Sequence, residues 1–245
     1  MDPFGRDKFL DFIKFYDQKN PKQTAAFWEL YDKVVALDPS LMTDDANWVR
    51  VYRSQPDQPQ PPKSTDGVLD VPYFSQRDNY RDANRTCFSS SCAMLCKFMK
   101  PSSINNDDDY IREVFKRGDT TSSTVQVETL KYFGVNSRFS STLRFADLDN
   151  LLSQGIPMPI GILHHGPASA PSGGGHWIIV IGKEVDPKAP GGCWYVVNDP
   201  WGELDNATGT YTTTNGNHLK YSKQMLTARW TPDGETSGWG IVAQR

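Results

Sequence analysis

The sequence predicts an α+β domain behind a helical N-terminal region. Two observations predict it. Residues 87–99 have helical length and are apolar on nearly every side, through Cys92, Ala93, Met94, Leu95, Cys96, Phe98 and Met99. The runs 159–163, 177–181 and 194–197 that follow are strand-like and are parted by Gly and Pro clusters. A helix apolar all round belongs in the middle of a domain, and later strands supply an antiparallel sheet for it to pack against.

The elements before and around that helix follow from local pattern. Phe9, Phe12, Ile13 and Tyr16 recur at helical spacing and form one apolar stripe. Asn20-Pro21 is an N-cap and first-turn pair, opening a helix that carries Phe27, Leu30, Tyr31 and Val34 and stops before Pro39. A third short helix starts near Thr43 and carries Trp48, Val51 and Tyr52. Residues 1–53 therefore read as a helical region. Residues 54–66 hold Pro56, Pro59, Pro61 and Pro62 among polar neighbours, an extended connector with nothing to bury. The main domain is expected over 67–245. It begins with a short strand, Val68 to Val71, that ends at Pro72, and it includes a helix over 110–116 whose start carries Asp107, Asp108 and Asp109.

Composition bounds the function. The chain has 245 residues, 38% hydrophobic and 22% charged, with net charge -3, so no global basic field points to nucleic acid. No apolar run approaches the roughly 18 to 20 residues of a membrane span. The N-terminus shows no secretory signal, so synthesis in the cytosol and free thiols at Cys87, Cys92, Cys96 and Cys193 are expected.

Among those thiols, position singles out Cys87. It opens the buried helix, where unpaired N–H groups and a partial positive charge stabilise a thiolate, and its own N–H is available to an oxyanion. Cys92 and Cys96 lie deeper in the apolar helix and read as small hydrophobes. They share a helix face, but no second Cys or His pair with zinc-finger spacing follows, so no metal or cofactor is expected. His176 follows Gly173-Gly174-Gly175 and starts a strand; Asp199 ends the next one. Two antiparallel neighbours arranged this way bring base and orienter to one sheet edge. Asn198 is a rival orienter. His164 and His165 are rivals for the base, read as an exposed or substrate-side pair, and His218 reads as a surface residue. Ser89-Ser90-Ser91 reads as helix-start polarity, and Trp194, Trp201, Trp230 and Trp239 as core or as a stacking wall near the site.

The stretch Val71-Pro72-Tyr73-Phe74-Ser75-Gln76, then Cys87 opening a helix with Ser91, Ala93 and Met94, resembles papain-like cysteine peptidases. More narrowly it is similar to the bacteriocin-processing, double-glycine-leader branch. The Gly-Gly-His-Trp strand and the Asn-Asp-Pro-Trp-Gly element at 198–202 fit the same pattern. The resemblance implies that Gln76 donates its amide to the oxyanion hole, that Cys87 forms the acyl-enzyme, that His176 moves the proton and that Asp199 holds the ring. One departure stands out: Phe88 follows Cys87 where that branch commonly has glycine.

A thiol hydrolase acting on peptide or amide bonds is the function expected. A missing exporter segment and the tryptophan content point to the stem peptides of bacterial peptidoglycan, as in phage endolysins that act at the cell wall. A protease acting on ordinary proteins and a non-catalytic module with the same fold are the alternatives.

Overall fold

The computed structural model describes residues 67–244. The helical region expected over 1–53 and the connector over 54–66 lie outside the described residues.

The domain opens with a 3-10 turn at Gln76–Asp78 and then α1, Cys87–Met99. Helix α2, Asp107–Arg117, is capped by Asn106, whose side chain accepts from the Asp109 N–H, and its acidic first turn and basic last turn match the helix dipole. Helix α3, Ser123–Tyr132, is capped the same way by Ser122. After β1, Ser137–Leu143, comes α4, Phe145–Ser153, where the Arg144 N–H donates to Asp147 at 2.8 Å. The remaining elements are β2 (Met158–Ile162), β3 (His176–Val185), β4 (Cys193–Asn198), β5 (Glu203–Leu204), β6 (Tyr211–Thr213), β7 (Leu219–Ser222), α5 (Lys223–Trp230) and β8 (Gly238–Ala243). Among the described residues no helix is long and apolar enough to cross a membrane.

A 6-stranded sheet runs in the order β1-β8-β2-β3-β4-β7, antiparallel throughout, with β5 and β6 forming a separate ribbon. Residues 176–182 of β3 are all buried, as a strand covered on both faces must be. Helix α1 packs on β2 and β3 and also touches α2 and α3, while α4 and α5 contact β2 and neighbouring strands. Cys92, Ala93, Met94, Leu95 and Cys96 are fully buried, so the all-round apolar helix is central, and the α+β class holds. Fully burying a side chain such as Met94 or Leu95 contributes about 1.5–3 kcal/mol, so α1 is a principal source of the domain's stability.

The strand expected over residues 68–71 is shorter than its pattern suggests. Val68 makes one bridge with Gly182, and the Leu69 N–H donates to Ile181 at 2.8 Å. The chain then folds back, the Val71 N–H donating to the Leu69 carbonyl at 2.9 Å, and Pro72 has no N–H to continue a ladder. Gly182 permits the close crossing, since a Cβ there would lie 2.8 Å from Val68 Cα.

Candidate active site

Cys87 is the first residue of α1 and is half-buried, whereas Cys92, Cys96 and Cys193 are buried. Burial pushes the Cys92 thiol well above its ordinary range and raises Cys96 to about 11. Neither is a candidate nucleophile.

His176 is the first residue of β3 and Asp199 the first residue past β4. Pairing of Ile179 with Asn198 lays these strand ends together, and a bulge between Val180 and Gly182 adjusts the register. Asp199 Oδ1 lies 2.7 Å from His176 Nε2. The carboxylate is wholly buried and also accepts from the Trp201 N–H at 2.9 Å and the Tyr221 hydroxyl at 3.2 Å, so its position is fixed from three sides. Asn198 turns elsewhere: its amide donates to Val71 and its oxygen accepts from the His218 N–H. His176 is 5% exposed, and the Cys87 thiol is near enough to act on its charge. With Nε2 on the carboxylate, Nδ1 is the nitrogen left for sulfur. Burial opposes charge on this ring, but the Asp199 charge and hydrogen bond, and then Cys87, outweigh it and raise the ring to about 10. The structure therefore brings the Cys87, His176 and Asp199 side chains into one place, with the imidazole hydrogen-bonded to the carboxylate.

Gln76 is buried, and its backbone N–H donates to Pro200, next to Asp199, at 3.0 Å. Its side-chain amide donates to the Ala83 carbonyl at 2.7 Å, while Oε1 is buried without a partner. One amide proton is thus committed to the loop before Cys87, and the second is available to another acceptor. Arg77 ties the same turn to the opposite loop, donating to the Trp201 carbonyl at 2.6 Å and lying 3.9 Å over its ring.

Sequence reasoning missed the support beneath α1. Ser89, Ser90 and Ser91 stand at the helix start, as expected, but are fully buried. Asn79 donates to Thr86 and Ser90, Ser90 donates to Asp107 at 2.7 Å, and Ser89 meets Thr120 and Gln126. Burial outweighs the Ser90 hydrogen bond and raises Asp107 to about 6. This network anchors the first turn of α1 to α2 and α3. Polar residues flanking a helix start were the only signal for it.

The rival histidines lie to one side. His165 is exposed; His164 is half-buried, its ring 5.5 Å from that of His176 and its Nδ1 without a partner. Burial, followed by the charge of His176, lowers His164 to about 4, so it stays neutral at ordinary pH. Arg229 braces this loop, its guanidinium donating to the carbonyls of Leu163, His165 and Gly166. His218 is exposed.

A cleft of about 610 Å³ opens beside Cys87, walled by Phe88, Trp177, Trp230 and Trp239. Of the tryptophans expected as a stacking wall, Trp230 and Trp239 line it, while Trp194 hydrogen-bonds Asp186 and Trp201 stacks under Arg77. Among the described residues no group of three or more His, Cys, Asp or Glu side chains is placed to hold a metal ion.

Comparison with known proteins agrees with this architecture. Residues 68–237 match the Peptidase_C39 like family. No curated protein matches the sequence. Among solved structures, a C39-like peptidase from Bacillus anthracis is similar at 13% identity and TM-score 0.51, covering 73% of this chain and 96% of that one. A double glycine motif protease from an AMS/PCAT transporter, solved with its leader peptide, has 13% identity and TM-score 0.45, covering 73% and 94%. The peptidase domain of Streptococcus ComA has 16% identity and TM-score 0.45, covering 71% and 97%. From the family match over most of its length, the chain belongs to the Peptidase_C39 like family and is a papain-like cysteine peptidase.

Proposed function

We propose that the peptidase works through Cys87 as nucleophile, His176 as acid and base, Asp199 as the group that orients the ring, and Gln76 as an oxyanion donor. The observation that carries this is the buried imidazole, hydrogen-bonded to the Asp199 carboxylate and raised by that charge and by the neighbouring Cys87. The sulfur anion attacks the carbonyl carbon of a peptide bond and the carbonyl oxygen becomes an oxyanion. The Cys87 backbone N–H, at the start of α1, and the uncommitted amide proton of Gln76 are the donors for it. His176 gives its proton to the departing amine and the C–N bond breaks, leaving a thioester. The ring then takes a proton from water as the water oxygen attacks the thioester. Collapse releases the carboxylic acid and restores sulfur and imidazole as an ion pair.

The substrate is a peptide. Peptidoglycan stem peptide is the reading that the tryptophan content and the endolysin likeness support, with action at the bacterial cell wall. The aromatic lining of the cleft supports instead a polypeptide with large side chains. Incubation of the reduced protein with casein and, separately, with permeabilised bacteria tests both, Cys87→Ala serving as control. Loss of casein bands at constant turbidity selects a protein substrate, and clearing of the cells selects the wall. Activity equal in Cys87→Ala would refute the nucleophile.

A further inference from the structure

The two oxyanion donors come from different parts of the chain. Gln76 stands on the 3-10 turn and Cys87 at the start of α1, and the residues between them run along the surface. Of residues 77–85 only Asn79 is buried. A loop otherwise open to solvent does not by itself hold two donors at the spacing one oxygen needs.

Asn79 reaches both sides of that gap. Its backbone N–H donates to the Gln76 carbonyl at 3.3 Å. Its side-chain NH2 forks, donating to Thr86 Oγ1 at 2.8 Å and to Ser90 Oγ at 3.0 Å. Those two residues are one turn apart, the Ser90 N–H donating to the Thr86 carbonyl, so the fork grips the turn that carries Cys87. Ser90 gives its own proton to the Asp107 carboxylate at 2.7 Å, so its oxygen must accept from a nitrogen, which fixes the way the Asn79 amide points. Asn79 Oδ1 is left buried without a partner, a rare arrangement that calls for a reason other than stability.

Thr86 completes the link. It is the N-cap of α1 yet makes no capping hydrogen bond. A threonine there ordinarily accepts from the first turn of the helix. Here its hydroxyl accepts from Asn79 and donates to the Ala83 carbonyl at 3.3 Å. The same carbonyl accepts the Gln76 amide at 2.7 Å. One oxygen thus holds both the Gln76 side chain and the residue whose peptide link supplies the Cys87 N–H.

We propose that Asn79 is a positioning residue for the oxyanion hole. It sets the distance between the Gln76 amide and the Cys87 N–H by orienting Thr86 toward the carbonyl that Gln76 also uses. The inference rests on Gln76 and Cys87 in the roles given above. Asn79 itself touches no substrate, and its loss lets the two donors drift apart; a misplacement of about 1 Å can cost about 10²-fold in rate.

Acylation of Cys87 by p-nitrophenyl acetate tests this in the full chain without a known peptide. Sulfur attacks the ester carbonyl, the carbonyl oxygen becomes an oxyanion, and the C–O bond breaks to release p-nitrophenolate and leave an acetyl thioester. Alkylation by iodoacetamide forms no oxyanion and is the control. Asn79→Ala should slow acylation about tenfold or more while alkylation stays within about threefold. In a Gln76→Ala background the same substitution should cost less than about threefold, because the spacing it sets no longer matters. If Asn79→Ala does not fold, Thr86→Val removes the linking hydroxyl at constant size, and Thr86→Ser should restore the rate. Equal losses with and without Gln76, equal losses of acylation and alkylation, or no loss at all overturn the positioning role and leave Gln76 standing. Unchanged acylation in Gln76→Ala overturns the oxyanion donor and the positioning role with it. Release by wild type no faster than by Cys87→Ala overturns the nucleophile as well.

Discussion

Asp199→Asn isolates what the buried charge does, because it keeps the shape of the side chain. The amide oxygen can still accept from His176 Nε2 and the Trp201 N–H, now at 2.7 and 2.9 Å. The new NH2 meets the Tyr221 hydroxyl, whose proton loses its acceptor. Orientation of the ring is therefore kept and its electrostatic support is lost. The wild-type ring is raised from 6.5 to about 10 against burial, by Asp199 first and Cys87 next. At about 1.4 kcal/mol per unit that net elevation is worth about 5 kcal/mol, and since burial still opposes charge once the carboxylate is gone, the ring of the variant should fall below its ordinary 6.5. Breaking a buried pair by removing one partner typically costs 3–5 kcal/mol, so the two figures agree. The sign follows from the direction of the shift. A ring whose folded value is raised contributes stability that is full below about 6.5 and lost as pH rises through about 10. The destabilisation of Asp199→Asn should therefore be largest near pH 6 and shrink toward pH 10, in urea unfolding followed across pH. The alkaline limb of peptide hydrolysis should move toward neutral, with kcat/KM at pH 7 down about 10- to 100-fold because the imidazolium population falls. Asp199→Ala, which also orphans three donors, should cost 10³-fold or more. Identical alkaline limbs in wild type and Asp199→Asn would refute the view that this carboxylate holds the ring charged.

Three further outcomes are expected. Brief iodoacetamide treatment of the native protein, followed by peptide mapping, should label Cys87 well ahead of Cys92, Cys96 and Cys193, which are buried. Gln76→Ala should lower kcat about 10²- to 10³-fold with little change in KM, as loss of one oxyanion donor does, and steady-state kinetics on a peptide substrate separates the two constants. Asp107, raised to about 6 mainly by burial, weakens the fold as pH rises from about 4 through 6, because the unfolded carboxyl ionises first. Asp107→Asn should then stabilise the domain by about 1–3 kcal/mol at pH 7 and by nothing below pH 4, as read by urea denaturation.

The centre of the fold and the site line were legible because they rest on local chemistry. Helix α1 announced itself by having no polar face, and β2, β3 and β4 by short apolar runs between Gly and Pro clusters. His176 and Asp199 could be paired in advance since a two-strand antiparallel unit leaves little choice of where its ends meet. Other features depend on contacts distant in sequence. Strand β1 reads Ser-Arg-Phe-Ser-Ser-Thr-Leu, too polar to stand out, and becomes a strand by pairing with β8 about a hundred residues later. Ser89 and Ser90 of α1 read only as helix-start polarity until Asp107, Thr120 and Gln126 arrive to satisfy them. Trp177 read as one more apolar strand residue, and nothing local disclosed that its indole packs closely over Gly161 of the neighbouring strand. Asn198 and Asp199 were separable only once the bulge in β3 set which of the two faces the ring.

Phe88 and Trp177 each follow directly on one end of the thiol–imidazole pair, and their rings lie parallel at 5° with centroids 3.5 Å apart. Neither position can then mutate alone without cost. Glycine in place of Phe88 would strip one face of the indole and loosen the spacing between α1 and β3, and a small residue in place of Trp177 would strand the phenyl ring. Divergent sequences should consequently exchange these two residues together, large with large and small with small. Double-mutant cycles on the pair should be strongly non-additive.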